Sequence, residues 1–505
     1  MAFQKRKKSG NSILRAAFVA LSFLLQLGWL LVQILALNNS PYIAAATNLI
    51  AIIAVLKLYS KHTNGAYKLP WIMIIMAMPV MGLSMYLLTQ VALTPKSIHK
   101  RLKKVKDGNA PFLTQEQSVL SGMEQPDANL ALYLQRSEGM PVWSNTQTRY
   151  YGETLDALAD MKRDLEAAER FIFMEYFILE DGEAFSQIRE ILERKAAQGV
   201  EVRLMYDDLG SIGTANWRYA LELGKKGIRC QPFNPALPFL NLFLNNRDHR
   251  KITVIDGKVG YTGGFNLADE YFHYTQPYGH WKDTGLRLEG QAVRNLTATF
   301  LELWNVNART EEDPAPYLEI CHRCEPDGTV QPFGDSPLDG EQSAENVYLN
   351  IINQAKRYVW IMTPYLIITD ELSRALELAA KRGVDVRLIT PGVPDKKPVY
   401  AVTRSYYARL VADGVRIFEY TPGFCHGKMC VADDEVATIG TSNLDYRSLY
   451  LHFENNVVLY RCDAVAQMAE DFRALSPLCR EVTERYRSVS LRIWQCILRL
   501  FAPLL

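Results

Sequence analysis

The chain has 505 residues, which at ~150 residues per domain allows two or three globular units. Hydrophobic residues make up 48% and charged residues 22% of the sequence, so a disordered or fibrous protein is excluded. Lysine and arginine (56) balance aspartate and glutamate (55) to a formal net charge of +1, which argues against a protein that coats nucleic acid.

Three apolar segments lie near the start of the chain. They span residues 13–37, 42–58 and 69–93, and a membrane-spanning helix needs about 20 apolar residues. We therefore predict that residues 1–106 form a membrane anchor of two or three transmembrane helices. Basic clusters precede the first segment and occupy 96–106, and both are expected in the cytoplasm. Two spans would place both clusters on the same side of the membrane, whereas three would place them on opposite sides, so the number of spans stays open. The catalytic region is expected in the cytoplasm.

The rest of the chain repeats one α/β pattern. A buried strand, a helix stopped by glycine and a second strand follow one another at 171–206, and the same order recurs at 358–389. A repeat of this length indicates a duplicated α/β domain whose two copies pack about a pseudo-dyad. The predicted units are a linker at 107–140, a first domain at 141–307, a connection at 308–345, a second domain at 346–484 and an amphipathic or core-facing helix at 485–505.

The eight cysteines are too sparse and too irregularly spaced for a disulfide framework. Cys321-His322-Arg323-Cys324 resembles half of a zinc site. No second ligand pair follows at a spacing typical of zinc fingers, so the sequence predicts reduced thiols and no bound metal.

Each copy carries the same reactive motif. Its histidine, lysine and aspartate are His249, Lys251 and Asp256 in the first copy and His426, Lys428 and Asp433 in the second. An asparagine, Asn266 or Asn443, follows each histidine by seventeen residues, just after a glycine-containing segment. Two matches with one spacing, placed inside a repeat, are not chance.

The spacing has direct chemical consequences. Histidine and lysine two residues apart on a strand point to the same face, whereas the aspartate has the opposite parity and precedes a hairpin, which predicts a structural role. Two copies together would surround a phosphodiester with lysines and asparagines and supply two histidines for nucleophilic and acid–base work. No carboxylate cluster suited to Mg²⁺ accompanies them, so we predict a reaction without a metal or other cofactor.

These paired motifs resemble those of the phospholipase D superfamily, from about residue 140 to residue 485. The resemblance implies duplicated phospholipase D-like α/β/α domains and metal-independent transfer through a phosphohistidine. It implies that all six motif residues belong to the catalytic set, with His249 as nucleophile and His426 as general acid. It also implies an acid that holds the tautomer of each histidine: Asp283 fits for His249 and Glu454 for His426.

Further segments resemble bacterial cardiolipin synthases. They are Arg247-Asp-His-Arg-Lys-Ile, Gly263-Gly-Phe-Asn-Leu-Ala-Asp-Glu-Tyr271, Thr363-Pro-Tyr365, Ser442-Asn-Leu-Asp-Tyr-Arg-Ser448 and the C-terminal Arg-Leu-Phe-Ala-Pro-Leu-Leu. That family condenses two phosphatidylglycerols into cardiolipin and releases glycerol. The resemblance therefore implies phosphatidylglycerol and anionic membrane lipids as partners, no nucleic acid, and a multi-pass protein of the bacterial cell membrane.

Three alternatives stay open. Another phospholipase D-type phosphatidyltransferase or phospholipid hydrolase would use the same groups on other lipids or on water. A membrane-anchored nuclease would also share them, although the neutral net charge counts against it. A lipid-binding protein with a dead site is disfavoured because both copies retain histidine, lysine and asparagine. The sequence does not indicate the oligomeric state.

Overall fold

The architecture comes from a computed structural model of the chain. The residues it describes are 41–61, 64–91, 96–215, 217–235 and 246–486, with single positions between 21 and 35 and, near the C-terminus, 498–500 and 502. The predicted apolar segment at 13–37 and the predicted C-terminal helix at 485–505 lie almost wholly outside the described residues.

Three helices precede the α/β region. They are α1 (Pro41–Tyr59), α2 (Gly65–Ala77) and α3 (Pro79–Val91), which share a small core of Ala51, Leu58, Ile75 and Tyr86. The predicted apolar segment at 69–93 is thus divided, because Met78 leaves the helical conformation (φ −138°, ψ 75°) and Pro79 begins a new helix. Among the described residues, no helix has both the length and the hydropathy needed to cross a bilayer.

Residues 107–140 were expected to be a linker, and the structure corrects this. They include the end of α4 (Lys96–Asn109), all of α5 (Gln117–Gly122) and all of α6 (Gln125–Glu138). Leu130, Ala131 and Leu134 of α6 are buried in the main hydrophobic core. The segment has a linker-like composition because the other faces of these helices are polar, yet it belongs to the folded unit.

The first copy is built on a seven-stranded sheet with the order β1-β8-β6-β5-β2-β3-β4. Strands β2, β3 and β4 are parallel and joined by helices, while the others pair antiparallel. The bounds are β1 (Thr146–Tyr151), α7 (Thr154–Glu166), β2 (Phe171–Tyr176), α8 (Glu183–Ala197), β3 (Glu201–Asp207), α9 (Trp217–Lys225), β4 (Arg229–Phe233), β5 (Lys251–Ile255), β6 (Val259–Gly263), β7 (His280–Lys282), β8 (Gly285–Gly290) and α10 (Val293–Ala308).

The second copy repeats this plan in an eight-stranded sheet with the order β17-β12-β11-β10-β14-β15-β16-β9, which confirms the predicted duplicated α/β fold. The bounds are α11 (Ala315–Leu318), β9 (Thr329–Asp335), α12 (Ser343–Gln354), β10 (Tyr358–Met362), α13 (Asp370–Lys381), β11 (Asp385–Pro391), α14 (Lys397–Ala412), β12 (Arg416–Tyr420), β13 (Gly423–Cys425), β14 (Met429–Ala432), β15 (Val436–Gly440), α15 (Tyr446–Tyr450), β16 (Glu454–Tyr460), α16 (Asp463–Leu475), β17 (Cys479–Glu481) and α17 (Thr483–Tyr486). The predicted connection at 308–345 contains β9, which pairs with β16, so the second domain begins at β9 and not at 346.

A helix near the end of each copy packs against a strand of the other copy. Helix α10 of the first copy packs on β9 of the second, and α16 of the second packs on β1 of the first. Both copies contribute to one continuous hydrophobic core, and almost every residue of α10 from Val293 to Val306 is buried. Because the copies share a core, the position of one reactive motif relative to the other is fixed by packing.

Candidate active site

Each motif histidine follows a short extended segment that pairs with the other copy. Strand β13 of the second copy runs parallel to β7 of the first, and the backbone N–H of His426 donates to the carbonyl of Lys282 at 2.7 Å. In the equivalent place, Asp248 bridges to Phe453, and the N–H of His249 donates to the Phe453 carbonyl at 2.9 Å. Each histidine is therefore held in register with the residue that precedes an acid of the other copy.

The acid that holds each histidine comes from the other copy. Nδ1 of His249 lies 2.9 Å from both carboxylate oxygens of Glu454, and Nδ1 of His426 lies 2.7 Å from Oδ2 of Asp283. The prediction that Asp283 serves His249 and Glu454 serves His426 is therefore wrong. It assigned each acid by distance along the chain, whereas the strand pairing between copies decides which acid each histidine meets.

Both histidines are neutral in the free protein. Burial lowers the pKa of His249 well below its ordinary value, and the nearby Lys251 and Lys428 lower that pKa further. Burial and Lys428 lower the pKa of His426 to about 4 despite the opposing effect of Asp283. A neutral imidazole that donates its Nδ1 proton to a carboxylate leaves a lone pair on Nε2, the form that a nucleophile needs.

Glu454 is fully buried beside His249. Burial raises the pKa of this carboxyl, and the nearby His452 and Lys251 offset only part of that rise. The hydroxyl of Thr441 donates to Oε2 of Glu454, one of the two oxygens that also contact His249, and so helps to fix the carboxylate. The carboxylate is thus oriented by a residue of its own copy and acts on a histidine of the other.

Asp283 has a more electropositive environment than Glu454, because His426 and Lys428 lie close to it. Burial alone would raise the pKa of this carboxyl, but His426 and Lys428 together lower it below its usual value. Its Oδ1 accepts the backbone N–H of Thr284 at 2.9 Å, and its Oδ2 accepts the indole N–H of Trp281 at 3.3 Å. An ionised Asp283 therefore fixes the His426 ring.

The two motif lysines are fully buried. Nζ of Lys251 donates to the carbonyl of His249 and Nζ of Lys428 to that of His426, each at 2.6 Å. Burial lowers the pKa of Lys251 to about 7 and that of Lys428 to about 8, against opposing carboxylates. Two buried amines that lose their charge near neutral pH lack sufficient counter-charge, and a bound phosphate anion would supply it.

The carboxylates of Asp256 and Asp433 bind backbone N–H groups, which is the structural contact that their parity predicted. The Asp256 carboxylate accepts backbone N–H groups of residues 169–171 at 2.7–2.9 Å. The Asp433 carboxylate does the same for residues 356–358 at 2.6–2.8 Å. Both aspartates have positive φ (54° and 59°) at a hairpin turn, a conformation that aspartate tolerates. Each caps the start of the neighbouring central strand, so the implied catalytic role is corrected to a structural one.

The two motif asparagines differ in their contacts. Oδ1 of Asn266 accepts the N–H of Ile178 at 3.0 Å and its Nδ2 donates to the hydroxyl of Tyr271 at 2.8 Å, so this amide already has partners on both sides. Oδ1 of Asn443 is buried and has no partner among the described residues. The Asn443 side chain does form a hydrogen bond with the Asp445 carboxyl, so of the two predicted phosphate-binding residues only Asn443 retains an unused polar atom, and that atom is an acceptor.

Sequence reasoning missed the aromatic surroundings of the histidines. The rings of Phe177 and His452 lie 5.0 and 5.5 Å from that of His249, and those of Tyr271 and Trp281 lie 5.4 and 5.3 Å from that of His426. Trp281 and His452 each lie two residues before an acid, and this shared position was the only signal in the sequence. These rings exclude water and so contribute to the low pKa values of the histidines.

One group of possible metal ligands lies inside the site. His249, His452 and Glu454 place ligand atoms within 4.8 Å of one another. Lys251 and Lys428 are close enough to lower the pKa of His249, and their positive charge opposes binding of a divalent cation there. The pocket is suited to an anion.

The sequence matches the family described as "Cardiolipin synthase, PLD-like domain" at residues 161–304 and 348–476, one match in each copy. Residues 46–89 match the family described as "Phospholipase_D-nuclease N-terminal", which here corresponds to α1–α3.

Similar proteins cover nearly the same length. The cardiolipin synthase of Halalkalibacterium halodurans is 33% identical over 468 residues, 89% of this chain and 91% of that protein. The cardiolipin synthase of Geobacillus kaustophilus is 36% identical over 460 residues, 88% of this chain and 90% of that protein. An uncharacterized protein of Streptococcus mutans serotype c is 41% identical over 459 residues, 90% of this chain and 99% of that protein.

Among solved structures, the phosphatidylserine synthase of Haemophilus influenzae aligns with a TM-score of 0.53 and 14% sequence identity. The alignment covers 76% of this chain and 98% of that one. At this identity the likeness establishes a shared fold.

Proposed function

The chain belongs to the cardiolipin synthase family of phospholipase D-like phosphatidyltransferases, and from this premise we propose that it converts two phosphatidylglycerols into cardiolipin and glycerol through a phosphohistidine. The observation that carries the mechanism is the crossed pair of contacts in which Glu454 holds His249 and Asp283 holds His426. Each neutral imidazole is held by a carboxylate of the other copy, so the pocket contains one nucleophile and one group that can carry a proton.

In the first half-reaction, Nε2 of His249 attacks the phosphorus of one phosphatidylglycerol. A P–N bond forms, the P–O bond to the terminal glycerol breaks, and protonated His426 gives its proton to the departing oxygen. The free His426 has a pKa of about 4, so it must take up a proton when lipid binds. The phosphate anion favours that uptake, because a negative charge close to an imidazole raises the pKa of the ring.

In the second half-reaction, the terminal hydroxyl of a second phosphatidylglycerol replaces glycerol. His426 accepts the hydroxyl proton, the oxygen attacks phosphorus, and the P–N bond to His249 breaks. The proton that His426 takes from the incoming hydroxyl replaces the one that left with glycerol, so atoms and charge balance over the cycle. Lys251 and Lys428 neutralise the charge that accumulates on the phosphoryl oxygens in both transition states.

We place the enzyme at a membrane surface, with α1–α3 as the part that contacts lipid and with multi-pass insertion and a cytoplasmic catalytic region as the finer proposal. Five large aliphatic residues of α1 are exposed, namely Leu49, Ile50, Ile52, Ile53 and Leu56. The following turn and α2 dock on α15, since Asn64 Nδ2 donates to the hydroxyl of Tyr450 at 3.1 Å. Helix α15 follows Asn443 closely, so this docking supports lipid delivery next to the reactive groups.

The test is an assay of the membrane-bound protein with labelled phosphatidylglycerol and no added divalent metal, in which lipids and glycerol are followed together. We expect cardiolipin and glycerol in equal amounts. His249→Ala and His426→Ala should each lower turnover by a factor of about 10² to 10⁴ or more, as expected for a lost nucleophile or acid–base group.

The matched control is His99→Ala, which changes an exposed histidine of α4 and should leave turnover unchanged. Phosphatidic acid as the main product would show that water is the acceptor and would overturn the proposed synthase. Nearly full activity in either variant would overturn the two-histidine mechanism.

A further inference from the structure

A second group of possible ligands shares no residue with the active site and lies at the outer strands of the first sheet. Glu289 is on β8, and His322 and Cys324 belong to the irregular segment that follows α11. Their ligand atoms lie within 4.8 Å of one another, and all three side chains are half-buried. The backbone N–H of Cys324 reaches the carbonyl of Asn145 at 3.4 Å, which brings this segment to the start of β1.

Two of the three spacings between these atoms correspond to the edges of a tetrahedron around one ion, and the third is within 4.8 Å. Nε2 of His322 lies 3.4 Å from Oε1 of Glu289 and 3.6 Å from Sγ of Cys324. Zinc bonds of about 2.3 Å to sulfur and about 2.0–2.2 Å to nitrogen and oxygen give tetrahedral edges of about 3.4 Å between nitrogen and oxygen and about 3.6 Å between nitrogen and sulfur.

The donor set also selects the metal. A thiolate, an imidazole and a carboxylate together suit Zn²⁺, whereas Mg²⁺ and Ca²⁺ prefer oxygen ligands alone. The Glu289 carboxylate is partly oriented already, because its Oε2 pairs with Nη1 of Arg287 at 2.8 Å and Oε1 is left facing His322. Such a second contact on a ligand carboxylate is typical of built metal sites.

We propose that Glu289, His322 and Cys324 bind one Zn²⁺ ion, with a water molecule as the fourth ligand. On binding, the Cys324 thiol releases its proton to solvent and the thiolate sulfur donates an electron pair to the metal. The sequence predicted no metal here because no second ligand pair follows Cys321-His322-Arg323-Cys324. Strand β8 supplies the missing ligand from thirty-three residues earlier in the chain.

The ion would have a structural function. It would fasten the segment between the two copies to the first sheet, near the point where that segment turns toward β9. The histidine pair is separate from this site, so the zinc proposal stands or falls independently of the proposed reaction.

The experiment uses full-length protein in detergent under reducing conditions, freed of metal with a chelator and then titrated with Co²⁺ or Zn²⁺. We expect one equivalent of Co²⁺ to give a thiolate-to-cobalt charge-transfer band and the intense visible bands of a four-coordinate ion. Excess Zn²⁺ should remove both bands and raise the Tm of the protein.

Cys324→Ser should abolish the charge-transfer band, and Cys321→Ser, three residues away and exposed, is the matched control that should keep it. Glu289→Gln should weaken Co²⁺ binding at least ten-fold without removing the thiol, which keeps the test informative if Cys324→Ser folds poorly. Absence of the band in the parent protein, or its equal loss in Cys321→Ser, would overturn the proposal. Cardiolipin synthesis is not measured in this experiment. A protein that makes no cardiolipin would therefore contradict the proposed function and leave the zinc proposal unaffected.

Discussion

Glu454 of the second copy orients His249 of the first, with Nδ1 of the ring 2.9 Å from both carboxylate oxygens. The reciprocal contact joins Asp283 of the first copy to His426 of the second. Neither copy alone contains both a motif histidine and the acid that contacts it. The reactive unit therefore exists only when the two copies are docked.

This crossed arrangement predicts different defects for the two acids. A substrate with a good leaving group, such as a phosphatidyl nitrophenol, needs no proton in the first step. With it, Glu454→Gln should lose the burst of nitrophenol that reports phosphohistidine formation, with a rate about 10³ to 10⁴ lower, because His249 then takes the wrong tautomer.

Asp283→Asn should retain that burst and lose the slower turnover, since His426 is needed to activate the incoming alcohol. Stopped-flow absorbance at the nitrophenolate band measures both phases. The reverse pattern, with the burst lost only in Asp283→Asn, would show that His249 is not the nucleophile.

Lys251 is predicted to contribute to activity at the expense of stability. Its pKa in the folded protein is about 7, whereas a lysine in an unfolded chain has a pKa of about 10.4. Between these values the unfolded chain binds more protons, so this lysine destabilises the fold most at low pH and the stability of the parent protein rises with pH.

Lys251→Met should therefore lose activity yet melt a few degrees higher at pH 7, and the difference in Tm should shrink as the pH approaches 10. Thermal unfolding followed by fluorescence across this range measures it. Lys225→Met, at an exposed position, is the control and should show no such trend. A constant difference in Tm at all pH values would contradict the predicted titration.

Asp256 is predicted to act on stability and not on the reaction. In Asp256→Asn one carboxylate oxygen is replaced by an NH₂ group, which cannot accept the strand N–H groups now bound there. Unfolding free energy, measured by urea titration, should fall by about 1–3 kcal/mol, the usual cost of an unsatisfied buried group.

The kcat of the folded fraction of Asp256→Asn should stay unchanged at a temperature well below its Tm. Asp107→Asn, at an exposed position of α4, serves as the control for both measurements. Loss of kcat with unaltered stability would return Asp256 to the catalytic set.

The two asparagines are also predicted to differ, with Asn443 acting mainly on activity and Asn266 mainly on stability. Asn443→Ala should weaken turnover of phosphatidylglycerol with a smaller loss of Tm than Asn266→Ala, because its Oδ1 has no partner among the described residues and the contact removed is the hydrogen bond to Asp445. Asn266→Ala should mainly lower Tm, because it removes the contacts to Ile178 and Tyr271. Parallel measurement of KM, kcat and Tm distinguishes the two, and a loss of Tm in Asn443→Ala as large as that in Asn266→Ala, with turnover unchanged, would contradict the predicted role in the site.

Much of the fold and of the reactive chemistry could be predicted from local pattern. The alternation of strands and helices at 171–206 and 358–389 predicted the repeat, because apolar periodicity reflects which residues a strand or helix buries. The opposite parity of Asp256 relative to His249 correctly predicted a structural carboxylate, since side chains on a strand alternate between faces. Segment 107–140 was misjudged because its composition is polar while one face of α6 is buried.

The sequence by itself determined the residue types that react and their spacing within each copy, because neighbours along a strand keep a fixed geometry. Only the tertiary structure decided which acid serves which histidine, since the paired residues are 205 positions apart for His249 and Glu454 and 143 apart for His426 and Asp283. The same holds for Glu289 beside His322. Contacts between distant segments depend on how strands and helices pack, and spacing along the chain carries no information about that packing.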